Sequence, residues 1–215
     1  MRRRDNVPVV SWLLLGGRCR DCSAPISRRY PLVELGTAVL FAGAAWWYGL
    51  SWALPAVLYL AAVGLALSLI DLDTHRLPDA IVLPSIGVGV VLLALASFNP
   101  GGPTQWGALV RAVVGGAAMF AMYFVVKFVH PRGMGFGDVK LAALLGLYLG
   151  WFSWASLVVG WFAAFLLGGA FSIGLLVLGR ANRGTSIPFG PWMIAGAAVG
   201  LVAGASVAGW YLRLL

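Results

Sequence analysis

Runs of about 20 apolar residues recur from residue 32 to the C-terminal end and constrain this chain more than any other feature. As a helix, one such run is about 30 Å long, the thickness of a bilayer's hydrocarbon core. The chain is 61% hydrophobic and 10% charged, with a mean hydropathy of +0.92. A water-soluble domain would carry about 25% charged residues, and the short alternating segments of a membrane β-barrel are not seen. The pattern predicts an all-α polytopic membrane bundle of about seven transmembrane helices. They fall near residues 32–50, 52–70, 79–98, 106–128, 139–153, 155–179 and 189–212. Residues 1–30 read as a basic cytosolic arm and residues 31–215 as the membrane domain. The opening "MRRRDNVPVVSWLLLGG" has no clean small-residue cleavage site, and Pro8 interrupts it, so it reads as a retained segment.

The net charge of +8 raises the question of nucleic acid. The distribution of the charge answers it. With the N-terminus inside, the cytosolic pieces hold Arg2, Arg3, Arg4, Arg18, Arg20, Arg28, Arg29, Arg76, Lys127, Arg132, Lys140, Arg180 and Arg183. Only Arg111 and Arg213 fall toward the outside, so 13 of 15 basic residues lie on one side. That is a positive-inside signal, and the expected neighbour is the lipid bilayer rather than nucleic acid. Trp46, Trp47, Trp52, Trp106, Trp151 and Trp154 fall near span ends on the outer side, where aromatic belts form. Arg111 reads as snorkelling to that interface.

Of the seven acidic residues, Asp5 and Asp21 belong to the arm. Glu34, Asp71, Asp73, Asp79 and Asp138 lie in or beside apolar spans, where a carboxylate is costly and points to function. Asp71 closes "AAVGLALSLI" and opens "DLDTHRLPD", which reads as a cytosolic turn ended by Pro78. Asp138 follows "GMGFG" at the cytosolic start of the fifth span. The two carboxylates are thus expected at similar depth on different helices. Such a pair can share one proton, activate water and hydrogen-bond a scissile carbonyl. The glycines before Asp138 permit close approach and tolerate positive φ. Two aspartates on one membrane face equally fit an ion or proton transporter, and the residues alone leave both readings open.

The combination "IDLDTHRLPD" and "GMGFGDVKL", 67 residues apart from aspartate to aspartate, resembles type IV prepilin peptidases, the bacterial GxGD membrane aspartyl proteases. The GxGD motif is Gly135-Phe136-Gly137-Asp138. "RYPLVELGTA", "CRDCSAPIS" and "IPFGP" also resemble family segments, so the resemblance covers nearly the whole chain. It implies an endopeptidase in the inner (plasma) membrane, with a cytoplasmic N-terminus. Its expected substrate is the N-terminal segment of a prepilin or pseudopilin, cut after a glycine at the cytosolic face to remove a short basic leader. It implies Asp71 and Asp138 as the catalytic pair, Asp71 being chosen over Asp73 because the first family aspartate stands six residues before the "LP" leucine, here Leu77.

Around that pair, Gly135, Gly137, Asp73 and Lys140 are expected as active-site support, and Asp79 as a cap of the next helix. Glu34 and the "IPFGP" residues Pro188, Phe189 and Gly190 are candidates for substrate binding, against a purely structural ion pair or hydrogen bond for Glu34 and a plain helix start for the others. Proteolysis itself needs no cofactor. Larger family members also N-methylate the new N-terminus with S-adenosylmethionine and carry two CxxC pairs. This chain has Cys19 and Cys22 alone, too few for a four-thiolate zinc site, and they read as half of such a site, as inert thiols or as a redox pair. Zinc and S-adenosylmethionine are therefore implied only where that N-terminal domain is complete elsewhere. His75 and His130 read as exposed loop histidines.

Overall fold

The computed structural model describes residues 7–131, 133–180, 182 and 187–214. Arg2, Arg3, Arg4, Asp5, Arg132 and Arg183 lie outside the described residues. The described chain is helical: α1 (Val10–Leu14), α2 (Arg29–Tyr48), α3 (Leu54–Thr74), α4 (Asp79–Phe98), α5 (Trp106–Val129), α6 (Phe136–Phe152), α7 (Trp154–Val177) and α8 (Gly190–Leu212). Five of these, α3, α4, α5, α7 and α8, are long and apolar enough to cross a membrane. With α2 and α6 they make up the seven long helices expected. The protein is a multi-pass membrane protein. Two compact units divide the chain, Met1–Leu50 and Ser51–Leu215.

In the first unit, α1 leads into a knuckle closed by an isolated bridge between Arg18 and Pro25. The Trp12 indole N–H donates to the Ile26 carbonyl at 3.0 Å, tying α1 to the start of α2. Gly17, at φ +70°, lies under the Trp12 ring, where a side chain would collide.

The second unit is built around α6, which touches α4, α5, α7 and α8. Twelve of its 17 residues are buried, including Leu141, Leu144, Leu145 and Leu149. A helix this apolar on every side belongs in the core. Its neighbours bury one face and expose Val113, Phe124, Phe162, Leu166 and Val202 on the other, a surface suited to lipid.

Apolar side chains gain little by leaving lipid for a helix interface, so close backbone packing has to hold the bundle. Glycine supplies it twice. On α5 and α6, a Cβ added to Gly146 would stand 2.5 Å from the Gly115 carbonyl oxygen, and one added to Gly150 would stand 2.7 Å from that of Arg111. On α7 and α8, a Cβ on Gly196 would stand 2.5 Å from the Ala164 nitrogen, and Gly200 and Gly204 press equally on Ser156.

Successive helices run in opposite directions. The end of α3, the start of α4, the end of α5 and the starts of α6 and α8 therefore gather at one end of this unit. At the other end, the structure corrects two expectations. Arg111 turns inward: Nε donates to the Gly150 carbonyl at 2.7 Å, and Nη2 to those of Trp151 and Phe152 at 2.5 and 3.0 Å. The last carbonyls of α6 have no intrahelical partner, and the guanidinium satisfies them. Trp151 is buried and donates to the Ser97 hydroxyl at 2.8 Å, whereas Trp52, Trp106 and Trp154 remain exposed.

Candidate active site

Asp138 is the third residue of α6. Its Oδ2 accepts the Gly135 N–H at 2.9 Å, the reach-back half of a capping box. Gly135 is extended at φ −74°, ψ 154°, and turns the chain into the helix. Neither it nor Gly137 adopts positive φ. The glycines serve close approach instead. A Cβ on Gly137 would lie 2.8 Å from the Leu77 Cβ, and one on Gly135 would lie 3.2 Å from Asp138 Oδ2.

Asp71 lies in the last turn of α3, which continues four residues past the expected end, to Thr74. His75, exposed and in the left-handed conformation at φ 52°, ψ 36°, stops the helix, and its N–H bonds the Asp71 carbonyl at 2.8 Å. The Asp71 carboxylate crosses to α8, where Oδ2 accepts the Gly190 N–H at 3.0 Å. That N–H is one of the orphan donors at the start of α8, and a carboxylate complements them. A Cβ on Gly190 would stand 2.8 Å from Asp71 Oδ2 and 3.4 Å from Leu77 Cδ2.

Leu77 therefore touches Gly137, next to Asp138, and faces Gly190, which holds Asp71. It joins the two halves of the site. Asp71 and Asp138 are 4% and 8% exposed, and they lie near enough for their charges to interact. Asp73 is exposed, as its position two residues on requires, about 200° around the helix from Asp71.

Lys140 reaches neither aspartate of the pair. Its Nζ lies 2.6 Å from Asp79 Oδ2, at the start of α4, and 4.9 Å from the Phe136 ring centroid. It clasps the first turns of α4 and α6 together. Of the "IPFGP" residues, Gly190 binds Asp71, and Phe189 packs with its ring centroid 5.2 Å from Phe165 and 6.5 Å from Tyr123. Pro188 is half-buried beside them. Leu77 entered the sequence reading only as a marker of position. Tyr123 did not enter it, although it lies on α5 in steps of four from Arg111 and Gly115, a face opposed to glycines of α6.

The remaining candidates lie in the first unit. Glu34 Oε2 accepts the Val9 N–H at 2.7 Å and helps line a cavity of about 620 Å³ with Trp12, Ile26 and Tyr30. Cys19 and Cys22 are free thiols in a tight turn, with the Ser23 N–H on the Cys19 carbonyl at 2.8 Å. The backbone N–H groups of Cys22 and Asp21 hold the Cys19 thiol below the usual cysteine range. Among the described residues no group of three or more His, Cys, Asp or Glu could hold a metal. Two thiols do not fit a four-ligand zinc site.

Residues 1–48 match the model of the bacterial peptidase A24 N-terminal domain, and residues 58–173 match that of the type IV leader peptidase family. Curated relatives named prepilin leader peptidase/N-methyltransferase are similar over nearly the whole chain. The relative from Stutzerimonas stutzeri is 38% identical over 99% of this chain and 72% of its own length. That from Aeromonas hydrophila is 39% identical over 97% and 70%, and that from Pseudomonas aeruginosa 38% over 99% and 71%. No solved structure matches. Similarity of this order over nearly the whole of this chain, in a helical membrane bundle that gathers "IDLDTHRLPD" and "GMGFGDVKL" at one end, means that the chain belongs to the type IV leader peptidase family and is a protease.

Proposed function

We propose that the protein is an aspartyl endopeptidase that removes the basic leader of a prepilin or pseudopilin. The cut falls after a glycine at the cytosolic face of the inner membrane, with the chain's N-terminus in the cytosol. The observation that carries this reading is the convergence of two buried carboxyls, Asp71 and Asp138, across Leu77.

Each aspartate has one oxygen engaged by a glycine N–H, at 3.0 Å for Asp71 and 2.9 Å for Asp138. The second oxygen of each is left for water and substrate. One carboxylate takes a proton from water as it attacks the scissile carbonyl carbon. The other, protonated, hydrogen-bonds the carbonyl oxygen, then yields its proton as the tetrahedral intermediate collapses and the new amine leaves. An α-helical substrate would offer carbonyls already hydrogen-bonded within the helix, so the cut segment is extended. The pilin's apolar helix enters sideways from the bilayer, its leader stays in the cytosol, and the Gly133–Gly137 turn moves to admit the segment. Thirteen basic residues on one side support the orientation.

Replacing Asp71 or Asp138 by Asn and co-expressing a prepilin tests the reading. Each variant is expected to accumulate and to leave the leader uncut. Full cleavage by either would remove that residue from the pair. The transport reading predicts ion flux in sealed proteoliposomes without leader removal, so the same preparations separate the two.

A further inference from the structure

We propose that Tyr123 is a positioning residue of the active site, its hydroxyl orienting the Asp138 carboxyl through the attacking water. Three observations carry this. The first is register. Helices α5 and α6 run antiparallel, and their close contacts recur in steps of four on both. The Arg111 side chain meets the Gly150 carbonyl, and Gly115 meets Gly146 one turn on. Met119, the next step along α5, packs its Cβ and Cγ 2.7 Å from a Cβ added to Gly146, and the step after it brings Tyr123 toward the first turn of α6, where Asp138 lies. Tyr123 and Asp138 are near enough for a charge on one to be felt at the other, as are Asp138 and Lys127, one turn further along α5.

The second observation is an unpartnered hydroxyl. Tyr123 is 0% exposed, and its Oη has no hydrogen-bond partner among the described residues. A buried tyrosine hydroxyl ordinarily finds one, and leaving it unpaired costs free energy. The third is its surroundings. The ring packs against a pair of phenylalanines, Phe165 at 5.6 Å and Phe189 at 6.5 Å, and Phe189 adjoins Gly190, which holds Asp71. Tyr123 thus has a packed ring, a hydroxyl without a structural task and the catalytic carboxyl as a neighbour. Because Asp138 Oδ2 is taken by the Gly135 N–H, the hydroxyl acts on the Oδ1 side, where the water has to sit.

Tyr148 supplies the internal control. Its hydroxyl is equally buried and unpartnered but lies against Gly89 of α4, ten residues along α6 from Asp138. A hydroxyl that only fills space can be removed without harm, since no bond is lost. Purified Tyr123→Phe and Tyr148→Phe are compared with the parent on a prepilin substrate, with thermal stability measured alongside. The expected result is a kcat lowered about 10-fold to 100-fold in Tyr123→Phe, with KM within about twofold and stability unchanged. Tyr148→Phe should stay within about twofold of the parent in both constants.

Parental kcat in Tyr123→Phe, an equal loss in both variants, or failure of Tyr123→Phe to fold would overturn the proposal. It rests on Asp138 being catalytic, so Asp138→Asn is assayed in the same series. Cleavage by that variant marks failure of the function itself, independently of the tyrosine result.

Discussion

Asp71 and Asp138 share one end of the bundle but occupy opposite ends of their helices. Asp138 stands in the first turn of α6 and takes the N–H of a residue three positions before it. Asp71 stands in the last turn of α3 and takes the N–H of a residue 119 positions away. The first carboxylate sits at the helix end whose dipole favours negative charge. The second sits at the end that does not, and borrows the favourable end of α8. One half of the site is therefore a local motif that any α6 beginning with this turn would form. The other half exists only when α3 and α8 are packed together.

The largest expected effect tests whether two differently built halves act as one unit. Asp71→Asn and Asp138→Asn should each lower the initial rate of leader removal by about 10³-fold or more, and the double variant should be no worse than the weaker single. Multiplying losses would mean that the carboxyls work separately. The next test bears on how each is held. Gly190→Ala pushes a methyl group to within 2.8 Å of Asp71 Oδ2, across two helices. It should lower kcat about 10-fold to 100-fold, because small misplacements of a catalytic group are costly. Gly135→Ala places its methyl at 3.2 Å from Asp138 Oδ2 within one flexible turn and should cost less than about fivefold. Equal or reversed losses would break the contrast between the local and the long-range half.

The smallest effect concerns the clasp beside the Asp138 half. Asp79 is 57% exposed, so its pair with Lys140 is screened by water. Lys140→Met should lower stability by about 0.2–1 kcal/mol, read by thermal unfolding and a cycle with Asp79→Asn. The rate should fall less than about threefold. A large loss of rate at unchanged stability would bring Lys140 back into the chemistry.

Much of this was legible in the chain. Spans expected at 79–98 and 106–128 are α4 at Asp79–Phe98 and α5 at Trp106–Val129, because long apolar runs bounded by Pro, Asn and Gly admit few alternatives. The end of α3 is not legible locally, because Asp71, Leu72, Asp73 and Thr74 look like a polar turn. Helical hydrogen bonding continues through them until His75 turns left-handed. Arg111 reads as an interfacial cation because no acidic or polar side chain lies within four residues of it on either side. Its actual partners are the carbonyls of a helix about 40 residues later.

The sequence by itself determined what depends on neighbours within a turn or two. That covers the number and order of the long helices, the common end of the two aspartates, and the hold of Gly135 on Asp138. Tertiary structure alone decided that Asp71 is buried while Asp73 is exposed, that Gly190 holds it, that Lys140 faces Asp79, and that Tyr123 is buried against Phe165 and Phe189. The physical reason is register. A hydrogen bond three residues long is set by the backbone's own geometry. A contact spanning α3 and α8, or α5 and α6, depends on how far each helix slides and turns against the next, and in lipid that is set by where glycines let two backbones meet.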